Sequence, residues 1–139
     1  MVSCAGLAFL ALACQVVSST RLTRDDVIKR FETALVKGDT AAAYEVMCPE
    51  YRQEVDVTQF SNHVNLYPYL QNMESLVPSG NVVKVGDPGV AANDCTIKSP
   101  LGFIPAVVYV RDRKEGGCIV SMVVAGMPVI GLKSALFGK

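Results

Sequence analysis

Apolar and polar positions alternate with a helical period in the first half of the chain. Behind Thr23, apolar side chains recur at the spacing that places them on one helix face: Val27, Ile28, Phe31, Ala34 and Leu35. Thr23 to Asp26 has the spacing of a capping box, which satisfies backbone N–H groups at a helix start. Gly38 follows the last apolar position and is typical of a helix end. The pattern predicts a helix between Thr23 and Gly38.

Two further helices are predicted before the midpoint of the chain. Asp39 can cap a second helix, which Pro49 would end after Met47. Thr58 can cap a third helical stretch that runs to about Leu66, and a turn or short helix follows it directly. Helical structure therefore occupies the first half of the domain.

The second half changes to the period of β-strands. Turn-forming clusters rich in Gly, Pro and Asp separate four strand-like segments, residues 82–85, 91–98, 103–111 and 118–125. The last three follow in hairpin order, which predicts an antiparallel meander. The fold class is α+β, with the N-terminal helices packed on a curved antiparallel sheet. Phe31 and Leu35 are expected to lie against Val108, Val110, Val120 and Val124 or their alternates.

An uncharged run from Cys118 to Leu132 could be mistaken for a membrane span. It has only fifteen residues and contains Gly126 and Pro128, whereas a spanning helix needs about 20 apolar residues. A central buried strand is the better interpretation, and residues 131–139 resemble a tail with one amphipathic turn.

The N-terminus has the pattern of an export signal. Residues 1–20 carry no charge, and Val2 to Ala13 is an apolar stretch rich in Ala and Leu. Ala11 to Ala13 fits a small-x-small cleavage site, and Cys14 directly after it resembles a lipidated cysteine of a bacterial lipoprotein. Residues 1–20 are interpreted as a signal peptide or N-terminal anchor, and 21–139 as a single domain. The alternative is a buried N-terminal helix or strand. We expect a secreted, periplasmic or membrane-tethered protein outside the cytosol.

Charge excludes some partners. The 139 residues include 13 basic and 13 acidic side chains, so the chain has no bias toward nucleic acid, and any membrane contact would come through the N-terminal anchor.

In an oxidising compartment, Cys95 and Cys118 could form a disulfide, because both lie in strand-like segments. Buried free cysteines are also common, and we favour that interpretation.

Short segments of the chain resemble the NTF2-like superfamily, whose members have a cystatin-like α+β cone. The segments are 31–35, 37–39, 43–44, 48–51, 58–60 and 67–68, within a resemblance that covers residues 22–125. It implies a sheet wrapped around the first helix, often enclosing an apolar pocket. Superfamily members include ketosteroid isomerase, scytalone dehydratase, ligand-binding proteins and modules that only make protein contacts, so the fold does not choose the function.

Candidate chemistry is sparse. Asp94 is the acidic residue within the apolar strands, and the alternation places it on the polar face, away from a pocket. His63 is the only histidine, so a multi-histidine metal site is not available, and neither a metal nor a cofactor is predicted. No catalytic residue is assigned.

The leading hypothesis is an exported, non-catalytic binding domain. Its ligand would be an apolar small molecule in the cone or a protein partner on the sheet. The candidate polar groups of a pocket are Tyr44, His63, Tyr67 and Tyr109, because Tyr combines apolar area with one hydroxyl. One alternative is a pocket enzyme of the isomerase or dehydratase type. Another is a structural envelope protein that forms a homodimer through its sheet.

Overall fold

The computed structural model describes residues 22–131, in which five helices precede a five-stranded antiparallel sheet. The α+β class is therefore confirmed. The helices are α1 (Arg24–Lys37), α2 (Thr40–Glu45), α3 (Pro49–Glu54), α4 (Val57–Asn65) and α5 (Pro68–Gln71). The strands are β1 (Ser75–Lys84), β2 (Val90–Ser99), β3 (Gly102–Arg111), β4 (Cys118–Val124) and β5 (Met127–Ile130). The predicted signal segment, the lipidation of Cys14 and the amphipathic tail fall on residues outside this range.

Helix α1 begins and ends as its sequence predicts. The Thr23 hydroxyl accepts a hydrogen bond from the Asp26 N–H at 3.2 Å, and the Asp26 carboxylate accepts one from the Thr23 N–H at 3.0 Å. These bonds to Thr23 hold the pKa of Asp26 below its ordinary value, because they favour the ionised carboxylate. At the other end Gly38 has φ of +76°, the left-handed conformation that glycine adopts without a Cβ clash.

The other helices confirm one predicted cap and correct another. Asp39 caps α2 as predicted and accepts from the Ala42 N–H at 3.0 Å. The cap of α4, however, is Asp56 and not Thr58, because Asp56 forms a reciprocal capping box with Gln59. Pro49 does more than end α2, since it occupies the first turn of α3, where its missing N–H has no helical partner to lose.

The sheet has the order β1-β2-β3-β4-β5, with every neighbouring pair antiparallel. The predicted meander is therefore confirmed for β2, β3 and β4. Strand β1 begins at Ser75, earlier than predicted, because a register shift between Pro78 and Val82 absorbs the residues that resemble a turn. Strand β5 was missed, because the uncharged run that contains it was interpreted as one strand.

The core lies between α1 and one face of the sheet. Helix α1 contacts β1, β3 and β4, and Phe31 and Leu35 are buried in one cluster with Val108, Val110 and Val124. At Val120 the alternate residue is the buried one. A register shift after Tyr109 pairs Val110 with Ile119, so Ile119 takes the buried position and Val120 is only half-buried.

Helix α1 also covers part of the free edge of the sheet. The buried Glu32 carboxylate accepts a hydrogen bond from the Leu76 N–H of β1 at 2.9 Å, and it forms an ion pair with Lys29 at 2.9 Å. Pro78, two residues along the same strand, has no N–H to offer. Together these features remove donors that a second strand would need, which protects the edge from pairing.

A disulfide joins Cys48, before α3, to Cys118 at the start of β4. The suggested Cys95–Cys118 bridge was therefore wrong, and Cys95 is a buried free thiol. Met47 forms a parallel bridge with Ile119, and the Cys48 N–H donates to the Ile119 carbonyl at 2.9 Å. This local pairing brings Cys48 beside Cys118. The disulfide partner of Cys118 is therefore decided by the segment that lies beside β4, and not by which cysteines lie in strands.

No helix between Leu22 and Gly131 is long and apolar enough to cross a membrane.

Candidate functional site

The four predicted pocket groups do not form one cluster of contacting side chains. Tyr44 is occupied structurally, because its hydroxyl donates to the Val55 carbonyl at 2.6 Å, with the Arg52 carbonyl 3.1 Å away. Tyr67 stacks on Tyr69 with ring centroids 5.6 Å apart. His63 is exposed on α4. In the part of the chain that the structure describes, no hydrogen bond or ring contact joins any two of Tyr44, His63, Tyr67 and Tyr109.

Aromatic rings of α2, α3 and α4 pack against one another. Tyr44, Tyr51 and Phe60 contact one another with centroids 5.7 to 6.5 Å apart, and Tyr51 and Phe60 are almost completely buried. The Tyr51 hydroxyl has no hydrogen-bond partner within residues 22–131. Burial, with a smaller effect from Tyr44, raises the pKa of Tyr51 to about 12, so this phenol is neutral at physiological pH.

The face of the sheet opposite α1 is largely apolar and is partly exposed to solvent. Successive side chains of a strand point to opposite faces, so residues paired across strands share one face. The buried positions of β3 are Ala106, Val108 and Val110, which leaves the alternate positions outside. We call this surface the outer face. It comprises Val77, Val83, Ala92, Asp94, Thr96, Lys98, Phe103, Pro105, Val107, Tyr109, Ser121 and Val123.

The outer face carries little charge. Only Asp94 and Lys98 are ionisable at neutral pH among the residues that define it. Asp94 is on the face that the sequence predicts for it, and its carboxylate accepts a hydrogen bond from the Asn81 amide at 2.7 Å. It therefore lies away from the core, on the side opposite to α1. Phe103 is 74% exposed, Val83 57% and Val77 54%, so large apolar side chains of this face meet solvent.

A shallow depression lies within the outer face. Its volume is about 390 Å³, and it is lined by residues of β2, β3 and β4 that include Thr96, Pro105, Val107 and Val123, with Asp94 among its polar groups. A depression of this size can receive one large side chain of a partner, which is how anchor residues dock in protein interfaces. The geometry therefore suits protein recognition.

A larger cleft lies on the helical side of the molecule. Its volume is about 860 Å³, and it runs along α1 between that helix and the segment that joins α2 to α3. The β3–β4 loop forms one end, where the Gly117 N–H donates to the Leu22 carbonyl at 3.1 Å. None of the four predicted pocket groups lines this cleft, and its walls carry charges of both signs.

The sequence analysis placed a possible protein partner on the sheet without naming the residues of the outer face, although the chain contains a signal for them. Residues 103–110 are apolar or aromatic at every position, so both faces of β3 are apolar. A strand that is apolar on both faces is typical of a sheet covered on both sides. In the described range the helices cover the inner face, so the outer face lacks the cover that its composition indicates.

Cys95 is a buried thiol whose environment favours a structural role over a reactive one. Burial, with a smaller effect from Asp94, raises its pKa to about 11, whereas a reactive cysteine needs a lowered pKa. No group of three His, Cys, Asp or Glu side chains within residues 22–131 is placed to hold a metal ion.

The Cys95 thiol should make the stability of the fold fall at alkaline pH. The folded pKa of about 11 lies above the ordinary thiol pKa of 9.0, so between these values the unfolded chain loses a proton that the folded chain keeps. The free energy of unfolding should fall as pH rises above 9, and Cys95→Ala should reduce this decline. Urea titrations from pH 7 to about 11 measure the effect. Parallel pH profiles for both proteins would contradict it.

No protein-family model matches the chain, and no curated protein matches it.

Proposed function

We propose that this chain is a non-catalytic binding domain that holds a protein partner on its outer face. The observation that carries the proposal is the outer face itself, a surface with few charges that includes exposed Phe103, Val77 and Val83 and contains a depression of about 390 Å³. Contiguous exposed apolar surface of this kind marks interaction sites in soluble proteins.

The size of the outer face suits one protein partner. The strands have 10, 10, 10, 7 and 4 residues, so at about 3.3 Å per residue and about 4.8 Å between strands the sheet has a face of roughly 650 Å². Specific interfaces bury about 800 Å² on each partner, so the outer face would supply the larger part of one side. The low charge calls for a partner whose docking surface is also uncharged and apolar, because burial of an unpaired charge is costly.

A protein partner is favoured over an apolar small molecule inside the domain. A cone pocket would lie between α1 and the inner face, where Phe31, Phe60, Val108 and Met122 are each fully buried in one core cluster. The rings and branched chains of this cluster occupy the space that a ligand would need. The outer face, in contrast, is accessible without any rearrangement.

The NTF2-like cone is the finer fold that we propose within the α+β class. Three features support it: helices precede the strands, the sheet is an antiparallel meander, and the long first helix packs on β1, β3 and β4. The proposal is also that the domain works outside the cytosol, because a Cys48–Cys118 disulfide persists in oxidising compartments.

Charge on the outer face should abolish partner binding. Val107 and Val123 are cross-strand neighbours that line the depression, so Val107→Arg with Val123→Arg would place two cations in the centre of the interface. Val36→Arg is the matched control, because Val36 is 45% exposed on α1, outside the outer face. The proteins are purified with any bound partner from the native host, and the partner's contacts are mapped by amine-reactive cross-linking at Lys98.

The proposal predicts a partner that wild type and Val36→Arg retain, that cross-links to Lys98, and that the double arginine variant loses. Retention of the same partner by a folded double variant would overturn it.

Sedimentation of the purified wild type identifies the case in which the partner is a second copy of the chain. A monomer together with no recovered partner would reject the proposal.

A further inference from the structure

We infer that the partner on the outer face is a second copy of this chain, packed face to face about a twofold axis that crosses the strands at Thr96 and Pro105. The inference rests on the proposed function, because it names the occupant of the same surface. In a symmetric pair, each contact that one copy makes is made again by the other, so the surface must be complementary to itself. Three separate features of the outer face meet this condition.

The first feature is the position of the two charges. Asp94 and Lys98 each lie two residues from Thr96 along β2, on opposite sides of it, and all three side chains belong to the outer face. A rotation of 180° about an axis that lies in the face and crosses β2 at Thr96 exchanges the two positions. Asp94 of each copy then lies opposite Lys98 of the other, so the interface contains two ion pairs and no unpaired charge from these groups.

Both charged groups are available for such a pair. Lys98 lies 3.9 Å from Glu74, but the two side chains are about half exposed, and an ion pair in water contributes little to stability. The Asn81 amide donates to Oδ2 of Asp94, and the carboxylate has a second oxygen that can accept from a cation. Neither contact has to break when the intermolecular pairs form.

The second feature is the fit between Phe103 and the depression. Phe103 and Val107 lie two positions on either side of Pro105 on β3, so the same axis places Phe103 of one copy opposite Val107 of the other. Val107 lines the depression together with its cross-strand neighbour Val123. Packed sheets are about 10 Å apart, and side chains from both faces fill that gap. The largely exposed Phe103 ring would therefore enter the depression of the second copy.

The third feature is the turn that joins β2 to β3. Leu101 of this turn and Tyr109 lie four positions on either side of Pro105, and Leu101 is largely exposed. The axis brings the turn of each copy to the Tyr109 end of the other outer face. There the Leu101 side chain can cover the Tyr109 ring, which is half-buried in one copy alone.

These features favour a second copy over a different protein. A different partner would need a cation, an anion and two apolar projections in the layout that this rotation produces, whereas a second copy already carries all of them. A face of roughly 650 Å² on each copy would bury about 1,300 Å² in total, within the range of about 1,200 to 2,000 Å² for specific interfaces.

The test is charge complementation between variants of the purified protein, measured by sedimentation velocity over a series of concentrations. Wild type should form a dimer. Asp94→Lys and Lys98→Asp should each weaken self-association at least about tenfold, because each change creates two like-charge contacts in a symmetric pair. An equal mixture of the two variants should form a dimer with one chain of each, since both contacts then join opposite charges again.

Two further variants separate the interface from other effects of substitution. Lys84→Asp makes the same change as Lys98→Asp at an exposed position outside the outer face, and it should dimerise like wild type. Phe103→Ala removes the apolar projection without changing charge and should weaken the dimer. Thermal unfolding establishes that each variant is folded.

The inference is overturned if wild type stays a monomer, if either folded charge variant dimerises like wild type, or if the folded mixture does not form the mixed dimer. Its failure is distinguishable from failure of the proposed function. A monomeric wild type that binds a different protein through Val107 in its native host would overturn the second copy and leave the outer face as a binding surface. A monomer that binds no protein there would reject both.

Discussion

Replacing Cys48 and Cys118 together with serine is expected to lower the free energy of unfolding by about 4 kcal/mol. The disulfide joins residues 70 positions apart, so it removes much of the freedom of the unfolded chain. Both cysteines are buried, and the bridge supports the Met47–Ile119 pairing that fixes the α2–α3 segment on β4. Urea unfolding of wild type and the double variant under oxidising conditions measures the loss.

Two controls assign this loss to the disulfide. Reduction of wild type with a dithiol should lower its stability to nearly that of the double variant, and the double variant itself should not respond to the dithiol. Cys95→Ala should keep the full response to reduction, because Cys95 is not bonded. A wild-type transition that is the same with and without the dithiol would contradict a structural Cys48–Cys118 bridge.

Phe31→Ala is expected to lower the free energy of unfolding by about 3 to 5 kcal/mol. Phe31 is fully buried on the face of α1 that packs on the sheet, so its removal loses apolar burial and leaves a cavity. Val36→Ala, on the exposed side of the same helix, is the control for helix propensity and should change stability little. Equal effects at the two positions would mean that α1 does not pack on the sheet through its apolar face.

The helices and most of the strands could be predicted because local sequence determines them. Thr23, Asp26 and Gly38 act within one or two turns of α1, and the alternation of Cys95 and Ile97 reports directly which face of β2 is buried. The errors have local causes too. Asp56 and Thr58 are both good caps, and the reciprocal bond from Gln59 selects Asp56.

The disulfide pairing and the exact composition of the surfaces could not be predicted, because they depend on long-range neighbours. Cys48 meets Cys118 only because Met47 lies beside Ile119, a contact that no periodicity encodes. The phenol of Tyr44 resembles a pocket group in the sequence, yet it is held by the Val55 carbonyl. The outer face follows from register, since Val107 and Val123 become neighbours only when β3 pairs with β4.

Site-specific photo-cross-linking in the native host tests the outer face most directly. A photo-cross-linking amino acid replaces Val107 in one protein and Val36 in a matched control, so that the same probe reports on the outer face and on the exposed side of α1. The proposed function predicts a discrete protein adduct at position 107 and none at position 36. An adduct at position 36 with none at position 107 would contradict it.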